Sequence, residues 1–419
     1  MELYELFRRH SRISTDSRHI VPDSLFFALH GERFDGNSYA ENALKAGAAA
    51  AVVDDPSVAE TLRQQWPDRC AEVPDTLAAL QELAARHRRE LGIPILAITG
   101  SNGKTTTKEL VGRVLSRKFR TAVTQGNLNN HIGVPLTLLA MTRDTEFGVV
   151  EMGASACGEI ALLASIAEPN YGILTNIGRA HLEGFGGPEG IRRGKGELLD
   201  YLAANGGRAF VPREDQTLTN MAAERDGLAA EYYSVTLADG IAHHLEGDYN
   251  RFNIAAAVAV GRYFDIDGER IRHAVGSYMP DNNRSQRTET ERNTLIVDCY
   301  NANPSSMRAS VLNFLAEPAG GRSRRVLILG DMLELGAWSE QEHRDIVALA
   351  ARNPDAELML VGGEFARACA GMEPQPANTA LFPSREELIA ELRRRPVENA
   401  FVLVKGSRGI GLEKALEEL

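Results

Sequence analysis

Short apolar runs alternate with segments of helical period along almost the whole chain. In the first stretch, LFFAL (25–29) and AAVVDD (50–55) read as strands. A helix near 39–47 lies between them, and another starts after Pro56. A longer helix follows Pro74, with Leu77, Leu80, Leu83, Ala84 and His87 on one face, and runs into Leu91-Gly92-Ile93-Pro94. The pattern then restarts. ILAIT (95–99), FGVVEM (147–152) and YGILTNI (171–177) are continuous apolar runs, as expected of parallel strands buried on both faces. Leu110, Val111, Val114 and Leu115 form a helical stripe, and an Ala-rich helix begins at Asn250. Another helix is expected near 268–278, followed by a turn at 280–283; residues 205–247 carry no clear period. A third series follows: strands LIVDCY (295–300), RVLILG (325–330), ELMLVG (357–362) and FVLVKG (401–406), with helices at about 304–316, 339–352 and 385–395. Alternating strands and helices favour right-handed crossovers onto a parallel sheet. The expected fold class is therefore α/β, in three domains at 1–89, 90–281 and 282–419.

Composition changes this picture little. A length of 419 residues suits two or three domains at about 150 residues each. With 43% hydrophobic and 25% charged residues, each block can bury a core. The 46 basic residues against 57 acidic ones give a net charge of −11, which argues against a broad nucleic-acid or anionic-membrane surface. Phosphate ligands, which need only a few local donors, stay open. The four cysteines (Cys70, Cys157, Cys299, Cys369) show no CxxC pair, as in a reducing compartment. The charged start MELYELFRRHSR does not resemble a secretory leader, and no apolar run approaches a membrane span. A cytoplasmic chain without membrane insertion is expected.

The sharpest chemical signal lies between strand 95–99 and the helix after it: Gly100, Ser101, Asn102, Gly103, Lys104, Thr105, Thr106 and Thr107. Glycines let backbone N–H groups turn inward, and a helix N-terminus adds positive partial charge. A lysine here can reach β- and γ-phosphates, and the Thr105 hydroxyl can ligate Mg²⁺. The longer GxxxxGK[ST] pattern would need glycine at Ile98, so this is the shorter G-x-x-G-K-T form. The loop alone does not separate kinase, GTPase, ATPase and ligase; the absence of a following NKxD lowers the GTPase reading.

In wound parallel sheets, ligands sit beyond the carboxyl ends of the strands. Glu151 closes FGVVEM, and His181 follows YGILTNI. A lone strand-end glutamate is more often a helix cap than a ligand, and an isolated histidine is more often structural than a ligand. Their convergence with the phosphate loop on one sheet edge raises both as site residues. Lys195, in RGKGE, reads on its own as a solvated helix lysine.

TGSNGKTTT, then Glu151-Met152-Gly153, NIGRAHLEGFG and KGEL, occur in an order that resembles the Mur ligases of peptidoglycan synthesis. QGNLNNHIGVPLT (125–137), DCYNANP (298–304), LGDMLELG (329–336) and VKGSR (404–408) resemble the D-alanyl-D-alanine-adding branch. The similarity spans essentially the whole chain, and several ordered motifs are far more specific than one phosphate loop. The resemblance implies a small N-terminal α/β domain for the UDP end of the substrate, carrying Asp16, Ser17 and Arg18. It further implies a central P-loop ATPase domain and a Rossmann-like C-terminal domain that closes the site. Asn127, Asn129 and Asn130 would line the muramoyl-peptide channel. Asn250 and Asn253 would face adenine, Arg284 phosphate and Asp298 the ribose. Tyr300, Asn301, Asn303, Lys405 and Ser407 would lie nearest the incoming dipeptide.

By the same resemblance, Lys195 is carbamylated by CO₂. It would then hold a second Mg²⁺ with Glu151 and His181, while Thr105 and Glu151 hold the first. The implied reaction uses ATP to phosphorylate the carboxylate of UDP-N-acetylmuramoyl-tripeptide, then joins it to D-alanyl-D-alanine; Lys104, Glu151, His181 and Lys195 are the catalytic set, in a monomer. Three positions depart from the family pattern: Tyr249 where histidine is usual, Gly194 where alanine is common, and Asn283 in place of glycine. The rival readings are another amide ligase of the superfamily, such as an amino-acid-adding enzyme or folylpolyglutamate synthase, and a non-ligase P-loop ATPase. The DNPR expected of a diaminopimelate-adding enzyme is absent from the last block. Taken singly, Asp16 with Arg18 could be a surface ion pair, and Asp331 and Glu334 a helix cap and a solvated acid.

Overall fold

The computed structural model describes residues 2–280, 286–374 and 376–419. Arg284 and Asn283, and with them the expected boundary at 281/282, lie outside the described residues. Among the described residues the main strands form three sheets, each covered by helices, in the expected α/β architecture.

The first sheet is parallel, in the order Ile13–Ser14, Leu25–Phe27, Ala50–Val53, Cys70–Glu72. The helix Thr76–Leu91 leads out of it. Asp75 caps its start by accepting from Ala78 N, and Gly92 ends it in the left-handed conformation. Its buried Leu80, Leu83 and Ala84 share one apolar cluster with Leu138, Leu139 and Leu163 of the central block. Arg88, at the end of the same face, donates to the carbonyls of Ala167 and Glu168 and to Asn170 Oδ1. The first block is thereby anchored to the second.

The central sheet is parallel throughout, ordered Ala229–Tyr233, Arg208–Pro212, Tyr171–Leu174, Ile95–Thr99, Phe147–Glu151, Thr121–Val123. From Ile95–Thr99 the chain goes to the edge strand Thr121–Val123, returns to Phe147–Glu151 beside Ile95–Thr99, then crosses to Tyr171–Leu174 and builds outward on the other side. The crevice beyond the carboxyl ends of these middle strands is the topological switch point where such sheets bind ligands. Residues 205–247, unreadable from period, supply the edge of this sheet and the helix Gln216–Ala223. The expected helix near 39–47 is a 3₁₀ turn, Gly36–Tyr39, leading into Ala40–Lys45.

The third sheet runs Gln286–Glu289, Asn293–Asp298, Ala400–Lys405, Arg324–Gly330, Ala356–Val361, Thr379–Phe382. Only its first strand is antiparallel. Among the described residues no helix is long and apolar enough to cross a membrane.

One buried cation fixes the geometry of the central block. Lys108, 1% exposed, donates from Nζ to Thr124 O at 2.7 Å and pairs with Glu109 at 2.8 Å. It ties the helix of the phosphate loop to the segment that carries Asn127–Asn130. Lys108→Met strands the Thr124 carbonyl and is expected to cost about 1–3 kcal/mol. The thermal unfolding midpoint followed by circular dichroism should fall by several degrees; an unchanged midpoint would show the tie to be dispensable.

Candidate active site

At the switch point of the central sheet, the loop Gly100–Gly103 turns from strand into the helix Lys104–Leu115. Gly100 and Gly103 have φ of +140° and +79°. A Cβ at Gly100 would lie 2.0 Å from Thr175 Oγ1, and one at Gly103 2.6 Å from Asn253 Oδ1, so both places need glycine. The neighbouring strand end clamps the loop. Ser101 N donates to Asn176 O (3.1 Å) and Asn102 N to Asn176 Oδ1 (3.1 Å). Thr175 Oγ1 and Asn176 Nδ2 both donate to Asn102 O, at 2.6 and 3.0 Å. Lys104 Nζ donates to Gly100 O at 2.7 Å, inside the loop's own curve.

Glu151 ends the adjacent strand and is 2% exposed. Its Oε1 accepts from Asn129 Nδ2 (2.8 Å) and Thr105 Oγ1 (3.3 Å). Its buried Oε2 has no hydrogen-bond donor among the described residues. An orphaned carboxylate oxygen beside a threonine hydroxyl at a phosphate loop is a donor set suited to a hard divalent cation.

A cavity of about 950 Å³ opens over these groups. Lys104, Thr105, Glu151 and His181 line it. So do Asn127, Asn129 and Asn130 along one arm, and Asn250 and Asn253 along another. The two adenine-side candidates are linked, Asn253 Nδ2 to Asn250 Oδ1 at 2.8 Å, and Asn253 Oδ1 accepts from Thr107 Oγ1 at 3.1 Å. Tyr249, the departure noted from sequence, also lines the cavity, as do Phe252 and Asp215, which were not singled out from sequence. The third block completes the wall with Asp298, Tyr300, Asn301, Asn303 and Lys405.

Several of these residues are engaged with one another. Lys405 Nζ lies 2.5 Å from Asp298 Oδ2, which also accepts from Ser310 Oγ at 2.9 Å. Asn303 caps the helix Pro304–Ala316 through Oδ1 and donates from Nδ2 to Asn102 Oδ1 at 2.7 Å, so it touches the phosphate loop directly. Ser407 does not line the cavity. Its Oγ donates to Ala302 O (3.2 Å) and accepts from Leu333 N (3.0 Å), bracing two loops. Asp16, Ser17 and Arg18 lie off the cavity, on the first block. Arg18 forms an exposed pair with Asp16 at 2.7 Å and holds that carboxyl well below the usual range.

Lys195 lies just behind the cavity wall and is 1% exposed. Its Nζ donates to the carbonyl of Ala154, a lining residue, at 2.8 Å, and sits 5.0 Å from the Phe185 ring centroid. Burial pushes its amine far below the ordinary lysine range, and the Lys104 ammonium pushes it further, against the weaker pull of Glu159 and Glu197. Gly194 makes the ring's position possible, since a Cβ there would meet Phe185 Cε1 at 2.5 Å. The bland expectation of a solvated helix lysine is overturned by this burial.

His181 takes the left-handed backbone region (φ 55°), and its Nδ1 contacts the carboxylate of Glu334. Among the described residues, no three His, Cys, Asp or Glu side chains are gathered as a metal-binding group. The expected set contains only two such side chains, Glu151 and His181. Asp331 fits its helix-cap reading, accepting from Glu364 N and Phe365 N at 2.9 Å each. Glu334 is exposed, as its reading as a solvated acid had it, but its carboxylate contacts His181. Leu182, Phe185 and Ile191 share an apolar cluster with Met307, Met332 and Leu335, so the third block is docked on the second around the cavity.

Comparison with known proteins bears on the family and the fold. Residues 10–88 match the Mur ligase family catalytic domain, 98–244 the Mur ligase middle domain, and 283–408 the Mur ligase glutamate ligase domain. The chain is 35% identical over 430 residues to the UDP-N-acetylmuramoyl-tripeptide–D-alanyl-D-alanine ligase of Bacillus subtilis, covering 97% of this chain and 92% of the relative. It is 35% identical over 437 residues to the Escherichia coli enzyme of the same name, covering 97% and 93%. Among solved structures, MurF from Acinetobacter baumannii superposes with a TM-score of 0.84 at 30% identity, covering 97% of this chain and 93% of that one. The MurF ligase of Thermotoga maritima in complex with ADP superposes at 0.82 and 25% identity, covering 100% and 98%.

The state of Lys195 has a measurable consequence. A lysine whose pKa burial pushes down binds fewer protons folded than unfolded in the window between its two values. Its penalty on stability is therefore full at low pH and fades as pH rises towards the ordinary lysine value of about 10.4. In CO₂-free buffer, Lys195→Met should melt higher than the unsubstituted chain near neutral pH. The gap should narrow as pH climbs; a variant that melts lower at every pH would contradict the assignment.

Proposed function

The chain belongs to the Mur ligase family, and we infer that it is an ATP-dependent amide ligase that adds D-alanyl-D-alanine to UDP-N-acetylmuramoyl-tripeptide in peptidoglycan synthesis. Full-length similarity to enzymes of that name supports the substrate pair. The observation that carries the chemistry is the single cavity bounded by the phosphate loop, by Glu151 with its orphaned oxygen, and by Lys405 and Asp298 of the third block. We take the division 1–89, 90–281 and 282–419 as UDP-substrate, ATP and closing domains.

A carboxylate is a poor acyl donor because attack by an amine would have to expel oxide. Transfer of the γ-phosphoryl group of ATP to that carboxylate gives an acyl phosphate; the dipeptide amine then attacks the carbonyl and phosphate leaves. The products are an amide, ADP and phosphate. Phosphoryl transfer depends mainly on positioning and charge stabilisation. Backbone N–H groups of 100–105 would cradle the phosphates, and Lys104 would exchange Gly100 O for them. Asn250 and Asn253 would face the base and Asp298 the ribose. Asn127, Asn129 and Asn130 would orient the muramoyl peptide, with Asp16, Ser17 and Arg18 at its UDP end. Tyr300, Asn301, Asn303 and Lys405 would border the incoming dipeptide, with Ser407 bracing their loops. Docking of the third block would keep water off the activated acid.

Mg²⁺ fits at Thr105 and Glu151, whose orphaned oxygen calls for a cation, and would supply charge neutralisation for the phosphates. A carbamate fits at Lys195 because carbamylation needs a neutral amine, and burial favours that form. That group would add the anion missing beside Glu151 and His181 for a second ion.

The test is direct. With ATP, Mg²⁺, the UDP-muramoyl-tripeptide and D-alanyl-D-alanine, the pentapeptide should appear by mass spectrometry with ADP. ATP turnover indifferent to any amine would instead point to a non-ligase ATPase. Lys195→Ala should lower ligation by at least about 100-fold, the scale of a positioned electrostatic group, with partial return on adding short carboxylates. Full activity in that variant would remove Lys195 from the machinery.

A further inference from the structure

The loop Met332–Trp338 of the third block lies against residues 181–187 of the central block. Glu183 N donates to Glu334 O at 3.3 Å, and a Cβ at Gly336 would touch the Glu183 side chain at 3.2 Å. Arg179 N donates to Ser305 Oγ at 2.7 Å, and Arg179 pairs with Glu342 at 2.5 Å. These contacts fix the register of one block on the other. Within that register, His181 and Glu334 both adopt left-handed backbone, with φ of 55° and 62°, a conformation few non-glycine residues take. Both unusual conformations sit at the ends of one side-chain contact, from His181 Nδ1 to the Glu334 carboxylate.

We propose that Glu334 is a positioning residue for His181: by accepting from Nδ1–H it fixes the imidazole tautomer and ring orientation, leaving Nε2 as the lone-pair nitrogen for the cavity. The inference rests on the reading of His181 as a site residue. Its force comes from connectivity. Glu334 belongs to the closing block and His181 to the nucleotide block, so the histidine is oriented only when the two are docked. Docking then does more than exclude water; it completes the site. A carboxylate on the far nitrogen of a ligating histidine is the usual means of setting tautomer and basicity, and its loss typically costs about 10–100-fold in activity or metal affinity. The bland alternative, a latch between blocks, predicts no change at the ring.

The experiment uses the full chain with ¹⁵N-labelled histidine and saturating ADP, His181→Asn serving to assign the resonance. In the unsubstituted chain His181 should carry its proton on Nδ1. Glu334→Ala should move population to the Nε2–H form, while Glu334→Gln, whose carbonyl still accepts, should keep Nδ1–H. In parallel, Glu334→Ala should lower kcat by about 10–100-fold with KM for ATP within about twofold, and Glu334→Gln should recover much of the loss. The same ring signal in the Ala variant and the unsubstituted chain, or an Ala variant with normal kcat, would overturn the proposal. Failure of the unsubstituted chain to ligate would count against the functional reading, while the nitrogen shifts would still decide whether Glu334 orients the ring.

Discussion

A carboxyl oxygen sealed away from water is expensive unless a donor or cation meets it, and the central block is built around one that no donor among the described residues meets. Glu151 reaches its place because the apolar strand Phe147–Glu151 must end somewhere, and it ends under the phosphate loop. One oxygen is held by Asn129 and Thr105; the other is left over. Behind the same cavity, Lys195 has the opposite problem, a buried amine with a carbonyl and an aromatic ring for company. Neither group improves the core. The apolar packing of the sheet and its helices has to offset both, and the arrangement makes sense as a pocket whose charge is completed by what binds in it.

That constraint explains how the rest is arranged. The phosphate loop cannot relax, because Thr175 and Asn176 of the next strand hold it through Asn102 and Ser101. The segment with Asn127–Asn130 cannot drift, because Lys108 ties its beginning to the helix of that loop and Asn129 ties its middle to Glu151. The sheet places the groups, and side-chain bonds between neighbouring strand ends hold them there.

The parts legible in the sequence were those with a local signature. Buried parallel strands announce themselves as unbroken apolar runs, so Ile95–Thr99 and Ala400–Lys405 could be placed within a residue or so. The phosphate loop could be read because glycine, lysine and threonine each do a separate job there. The strand Ala229–Tyr233 could not, since an edge strand is half-exposed and AAEYY has neither alternation nor a continuous apolar run. Lys195 looked like a surface residue because its burial comes from Phe185 and the loop at Ala154, distant in sequence. Glu334 was harder still: its partner is 153 residues away, and no periodicity encodes a contact between two loops. Ser407 shows the converse, a motif residue whose hydroxyl braces two loops instead of facing the cavity.

The seam between the second and third blocks carries both apolar and polar contacts, and the two do different work. Leu182, Phe185 and Ile191 meeting Met307, Met332 and Leu335 give an attraction without direction. Direction comes from Asn303 on Asn102, Arg179 on Glu342 and Glu334 on His181, each of which forms in one register only. Every one of these polar pairs begins on or next to a segment that also borders the cavity. A shift of the third block that broke them would therefore move the phosphate loop's neighbours and the histidine together. Assembly of the site and docking of the block are in this sense one event, driven by apolar area and made specific by polar contacts across the seam.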